Sequence, residues 1–158
     1  MILYSKMSNP LIPQVRDCMS AQVTTLDVSD TVFDAAEAII HHSVGCVVVM
    51  RNDDIAGILT KGDVIKSFLL SDQDPKKTKL SSVMVTPVIS VSPDSSLEEA
   101  AKIMSNRHVS KLPVIDDESG LLVGILTSTD VMRVEPKYVE YLTDLIKSKS
   151  TSGQDDRR

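Results

Sequence analysis

Apolar and polar positions repeat one pattern twice along this chain. In the first copy, the β-branched, Thr-rich run Val23 to Val28 is followed by apolar Val32, Ala35, Ala36, Ile39 and Ile40. The run reads as a strand. The i, i+3, i+4, i+7, i+8 spacing reads as an amphipathic helix, with Ser29 or Asp30 as its cap. Two further apolar runs, Val47–Met50 and Ile55–Leu59, flank Asn52-Asp53-Asp54 and predict a hairpin. A short helix is expected from Gly62 or Asp63 to Leu70, completing the order β-α-β-β-α.

Sliding the chain by 65 places lays Met19 on Met84, Val23 on Val88, Ala35-Ala36 on Ala100-Ala101 and Val44 on Val109. Two extra residues in the second copy, within Asp116 to Gly120, then bring Gly57-Ile58-Leu59-Thr60 onto Gly124-Ile125-Leu126-Thr127. Asp63-Val64 falls on Asp130-Val131 in the same register. Such internal repetition sets the fold reading before any other signal. The second copy has a strand candidate at Val88 to Val91 and a helix capped by Asp94 or Ser95, with Leu97, Ala100, Ala101 and Met104 on its apolar face. A hairpin of Leu112–Ile115 and Leu121–Leu126 follows, then a helix from Thr129 or Asp130 to Val134.

Outside the repeats, residues 1–14 carry Pro10 and Pro13 and read as an extended lead-in. Residues 15–70 form the first repeat and 80–135 the second, with the polar stretch 71–79 (SDQDPKKTK) as linker. Residues 136–149 read as a last amphipathic helix with Val139, Leu142, Leu145 and Ile146 on one side, and 150–158 as a flexible tail. A repeat of about 50 residues buries too little apolar surface to stand alone, so the two copies are expected to pack about a pseudo-twofold into one α+β unit.

Composition narrows the classes of function. The chain has 158 residues, 42% of them hydrophobic and 25% charged, as globular domains do. Its net charge of −5 and 3% aromatic content give neither a basic footprint nor stacking platforms for nucleic acid. The longest apolar stretch, Val44 to Met50, is far short of the roughly 20 residues that span a bilayer. Cys18 and Cys46 make neither a disulfide framework nor a C-x-x-C pair. The expectation is a soluble protein of the cytoplasm that touches neither nucleic acid nor membrane.

An enzyme needs a nucleophile, a base and an electrophile in one place, and the sequence offers no such set. His42-x-x-x-Cys46 supplies two of the four ligands a structural zinc requires. His41 and His42 sit where a helix C-terminus favours imidazole. No catalytic residue and no metal site is therefore assigned.

The paired G-I-L-T-K-G-D at 57–63 and G-I-L-T-S-T-D at 124–130, with H-V-S-K-L-P-V-I-D at 108–116, resemble the cystathionine-β-synthase-type (CBS) domain pair, or Bateman module. The likeness covers roughly residues 15 to 135. It implies two β-α-β-β-α CBS repeats in one module that regulates something else. It also implies clefts between the repeats for an adenosine compound: AMP, ADP, ATP or S-adenosylmethionine. No resident cofactor is implied.

Within that resemblance the residues take roles. Asp63 and Asp130 could each hold a ribose cis-diol, while Thr60 and Thr127 stand at strand-to-helix junctions where hydroxyl and amide groups meet phosphate. The bland alternative is that both pairs are ordinary helix caps. Val23, Thr24 and Thr25, with Val88, Ile89 and Ser90, would lie against the base. Gly45, Cys46 and Val47, with Ser110, Leu112 and Pro113, would form the opposite wall. Lys111 fits the slot of a basic residue that contacts phosphate; its counterpart is Cys46, which cannot neutralise an anion. The His often found before that cation is replaced by Ser110 and Gly45.

Two functions follow. The first is a sensor of adenosine compounds, a homodimer acting on an enzyme or transporter expected on a separate chain, since no third domain is visible. The alternative is a ligand-free dimerisation scaffold with the same fold.

Overall fold

The computed structural model describes residues 12–134 together with Pro136, Leu142, Thr143 and Lys147. Most of the expected lead-in, C-terminal helix and tail lies outside the described residues. The chain runs through α1 (Val15–Cys18), β1 (Thr25–Asp27), α2 (Val32–His42), β2 (Cys46–Arg51), β3 (Asp54–Thr60) and α3 (Lys61–Leu70). A 3-10 turn, Leu80–Ser82, leads into α4 (Leu97–Arg107), β4 (Lys111–Ile115), β5 (Leu122–Thr127) and α5 (Ser128–Val134). The architecture is α+β with two like repeats. No helix of the described residues is long and apolar enough to cross a membrane.

In repeat one, β1 pairs parallel with β2, and β2 antiparallel with β3, through the two-residue turn that Asn52 opens at φ 56°. Repeat two keeps the β4–β5 hairpin. The strand expected at Val88 to Val91 is reduced to one bridge, Val91 to Val114, so the parallel strand seen in repeat one is not built in repeat two.

Helix starts differ from the expectation by one or two residues. The cap of α2 is Thr31, which accepts from the Asp34 amide while the Asp34 carboxylate accepts from the Thr31 amide. Ser29 and Asp30 instead close the preceding turn: Ser29 donates to Asp27 and Asp30 accepts from the Asp27 amide. Ser96, accepting from the Glu99 amide, caps α4 in place of Asp94 or Ser95. Both helices end on a left-handed residue, Ser43 and His108, and the next amide reaches back, Val44 to Ile39 and Val109 to Met104.

Each repeat has its own core. Val32, Ala35, Ile39, Val47, Val49, Leu59 and Val64 bury the helix-facing side of sheet one. Leu97, Ala100, Ala101, Met104, Leu112, Leu126 and Val131 do so in repeat two. The segments before each first strand are exchanged. Leu80 joins the first core, and its amide donates to Asp30 O; Val15 joins the second, and its amide donates to Ser95 O. Val85 bridges Ile58, and Ser20 bridges Ile125 in the matching place. Met84 fills the space over Gly57 and Met19 the space over Gly124. This reciprocity is the pseudo-twofold, and it ties two marginal repeats into one body.

Candidate functional site

Thr60 and Asp63 stand at the β3–α3 junction, Thr127 and Asp130 at the β5–α5 junction, and the two arrangements match closely. The Thr60 amide and hydroxyl both donate to Asp63 Oδ2, at 2.9 and 2.7 Å, and the Asp63 amide donates to Thr60 Oγ1 at 3.3 Å. In repeat two the same three distances are 2.9, 2.7 and 3.2 Å. These are capping boxes. Each hydroxyl proton is already engaged on a carboxylate, so what each acid keeps for a ligand is Oδ1. Arg133 lies 3.7 Å from Oδ1 of Asp130.

The wall residues come to the same places. The Lys61 amide donates to Gly45 O and the Ser128 amide to Ser110 O, both at 2.9 Å, so each helix start is tied to the residue preceding the central strand. Cys46 pairs with Thr60 and Lys111 with Thr127. The Val48 amide donates to Thr24 O, which brings Val23, Thr24 and Thr25 alongside β2. In repeat two, Val88, Ile89 and Ser90 lead into Val91, whose amide donates to Pro113 O. Val47 and Leu112 are fully buried in their cores and Pro113 is buried too, so only their main chain is open to a ligand. Thr24, Ile89, Ser90, Ser110 and Lys111 are half-buried, and Thr25 is exposed.

Lys111 crosses from one repeat to the other. A Cβ placed on Gly45 would fall 2.8 Å from Lys111 Cε and 3.3 Å from Nζ. The cation therefore stands over the start of β2, beside the Gly45 carbonyl that holds the α3 N-terminus. It also faces Cys46, whose thiol burial pushes up to about 11 although Lys111 pulls the other way. Cys46 is thus a neutral packing residue at ordinary pH.

Two residues that sequence reasoning did not assign also reach the Thr-x-x-Asp turns. Cys18 sits close enough to Asp130 to feel its charge: burial first, then Asp17 and Asp130, raise its thiol. Val83, its repeat counterpart, lines with Asp63 and Ser67 a cavity of about 360 Å3. Each acid is therefore flanked by the lead-in segment of the other repeat. The Met19–Met84 match was visible in the sequence; the exchange that makes it matter was not. Among the described residues, no group of three or more His, Cys, Asp or Glu side chains converges as metal ligands do.

With this geometry in place, comparison with known proteins is decisive on family: the CBS domain family matches residues 15–70 and again 80–137. The chain belongs to the CBS-domain family. An uncharacterized protein of Methanopyrus kandleri, MK0525, is 31% identical over 126 residues, which are 79% of this chain and 64% of that protein. The chain thus spans a little under two-thirds of that relative. Among solved structures, the CBS domain protein TA0289 of Thermoplasma acidophilum superposes with a TM-score of 0.79 at 27% identity, covering 89% of this chain and 78% of that one. The CBS domain pair of MJ0100, in complex with 5-methylthioadenosine and S-adenosylmethionine, gives 0.70 at 27%, covering 80% and 98%. The cytosolic domain of the magnesium channel MgtE, in complex with ATP, gives 0.62 at 27%, covering 74% and 46%.

Proposed function

We propose that this CBS pair is a non-catalytic regulatory module that binds an adenosine compound between its repeats. The observation that carries the reading is the matched pair of Thr-x-x-Asp turns, each set beside the start of a central strand and the lead-in of the opposite repeat. MJ0100 binds methylthioadenosine and S-adenosylmethionine on this fold, and MgtE binds ATP. A carboxylate whose Oδ2 is fixed by its own helix cap presents Oδ1 at a set position, suited to a ribose hydroxyl. Apolar Val23 and Val88 and the neighbouring main chain supply a surface for the base. Lys111 is the cation for phosphate, and its lean toward Gly45 supports a phosphate in the repeat-one cleft. The module works as a cytoplasmic homodimer that regulates an enzyme or transporter.

One observation favours the ligand-free scaffold: both Thr-x-x-Asp turns are complete as caps without any ligand. Thermal unfolding separates the two. A binder gains stability by mass action, about 2.7 kcal/mol at a ligand concentration 100 times Kd, whereas a scaffold gains none. AMP, ADP, ATP and S-adenosylmethionine are the compounds to test. The 2′-deoxy analogue of a binding nucleotide should bind roughly tenfold worse or more, since a hydrogen bond to a charged carboxylate is worth about 1.5–3 kcal/mol. No stabilisation by any of the four establishes the scaffold; equal affinity for the deoxy analogue removes the ribose role of Asp63 and Asp130.

A further inference from the structure

Each Thr-x-x-Asp turn is followed, three residues past its acid, by a cation, and the two cations are placed differently. Arg133 lies 3.7 Å from Asp130 Oδ1 and is drawn onto its own acid. Among the described residues no ion pair joins its counterpart, Lys66, to Asp63. Lys66 instead lines, with Asp63, Ser67, Leu70, Ser71 and Val83, the cavity of about 360 Å3 beside the acid. The Ser71 hydroxyl accepts from the Gln73 amide, which leaves its proton to donate. Charged groups therefore follow one another along α3. Lys111 stands over Gly45 at the helix start, where the Gly45 carbonyl takes the Lys61 amide. Asp63 is in the first turn, and Lys66 follows about 4.5 Å further along the axis.

We propose that the Asp63 turn reads a second phosphate, carried on the 2′ or 3′ oxygen of the ribose, with Lys66 as its cation and the Ser67 and Ser71 hydroxyls as donors. The inference rests on the adenosine reading above. It narrows the ligand to adenosine phosphorylated at the 5′ position and again at 2′ or 3′, either free or as one end of a larger molecule. The order cation, acid, cation carries it. With the 5′-phosphate at Lys111 and the sugar at Asp63, the 2′,3′ edge is the side of the sugar away from Lys111, toward Lys66. Asp63 Oδ1 accepts one hydroxyl, and an ester on the neighbouring oxygen brings its charge to the ammonium. A carboxylate by itself would repel that phosphate. A lysine at i+3 shares its helix face and offsets the repulsion. In repeat two the equivalent cation is held on Asp130, so no charge stands apart there for a second phosphate.

Calorimetry on the full chain tests this with pairs that differ by one phosphate. Adenosine 2′,5′-bisphosphate and adenosine 3′,5′-bisphosphate are each compared with AMP; at least one should bind roughly fivefold tighter or more. The isomer that gains shows which hydroxyl Asp63 keeps. NADPH against NADH, and coenzyme A against its dephospho form, carry the same difference on a larger molecule. A gain there supports the proposal and separates a larger ligand from a free bisphosphate. Lys66→Gln should bring the ratio of affinities within a pair to about one, and Lys66→Arg should keep it. Arg133→Gln should leave the ratio within about twofold. Lys66 and Arg133 are both exposed, so these variants fold as the wild type does. AMP binding without a gain in any pair, a gain that survives Lys66→Gln, or one lost with Arg133→Gln overturns the second phosphate alone. Failure of AMP and of every other adenosine compound to bind overturns the adenosine reading beneath it.

Discussion

Lys111 of the second repeat lies against Gly45 of the first, in space that any larger residue would fill. The reciprocal contact is absent by construction: the counterpart of Lys111 is Cys46, and the counterpart of Gly45 is Ser110, which carries a side chain. Two differences between otherwise matched repeats thus set one cation over the start of β2. The backbone amide of Lys61 fixes the Gly45 carbonyl at that spot.

If Lys111 holds phosphate as proposed, Gly45 governs charge recognition through the room it leaves for the lysine end. Lys111→Ala should weaken AMP about tenfold or more and leave adenosine within about twofold, with a shallower salt dependence of AMP binding. Gly45→Ala should act in the same direction, because its Cβ displaces a flexible lysine end rather than backbone. The double variant should be no worse than Lys111→Ala alone. Calorimetry showing equal losses for adenosine and AMP, or additive losses in the double variant, would rule out the shared phosphate role.

Cys46 gives a pH dependence of defined sign. Burial raises its folded-state value to about 11, so the folded thiol stays neutral where an unfolded one ionises. The stabilisation is fully present below the ordinary thiol range and is lost as pH rises through the folded value. Between pH 8 and pH 10.5 linkage removes about 2 kcal/mol. Urea unfolding at the two pH values should show the wild type losing about that much more than Cys46→Ala. Parallel losses in both proteins would mean that the thiol is not held neutral by the fold.

The exchanged lead-ins differ in how much they can yield. A Cβ on Gly124 would fall 2.6 Å from Met19 Sδ and 2.8 Å from Ser20 O, and that carbonyl is held by the Ile125 amide at 2.9 Å. The three atoms nearest a Cβ on Gly57 all belong to the Met84 side chain, at 2.7 to 2.8 Å. Methionine can change rotamer where a ladder-bonded carbonyl cannot. Gly124→Ala should therefore cost about 1–3 kcal/mol and Gly57→Ala clearly less, read from denaturant midpoints. Equal costs would show that the two segments are equally free to shift.

Features that depend on near neighbours were legible along the chain. Period 3.6 from Val32 to Ile40 and the apolar runs Val47–Met50 and Ile55–Leu59 around a polar turn reflect chemistry within a few residues, and both the helix and the hairpin are present. The Thr60–Asp63 and Thr127–Asp130 pairs lie three residues apart, so their local partnership was legible as well. Even here a local choice needed coordinates: Ser29, Asp30 and Thr31 can all cap, and Thr31 does so because its side chain meets the Asp34 amide. Val88 to Val91 has strand composition, yet a run so short extends only as far as a neighbour pairs with it. Tertiary structure alone decided the rest. The exchange of residues 15–20 and 80–85 between repeats, the approach of Cys18 to Asp130, the crossing of Lys111 to Gly45 and the closure of one helical face by Leu142 all join residues far apart in the chain. Such contacts are selected by the apolar surface they bury together, a quantity that belongs to the packed pair of repeats and to neither segment alone.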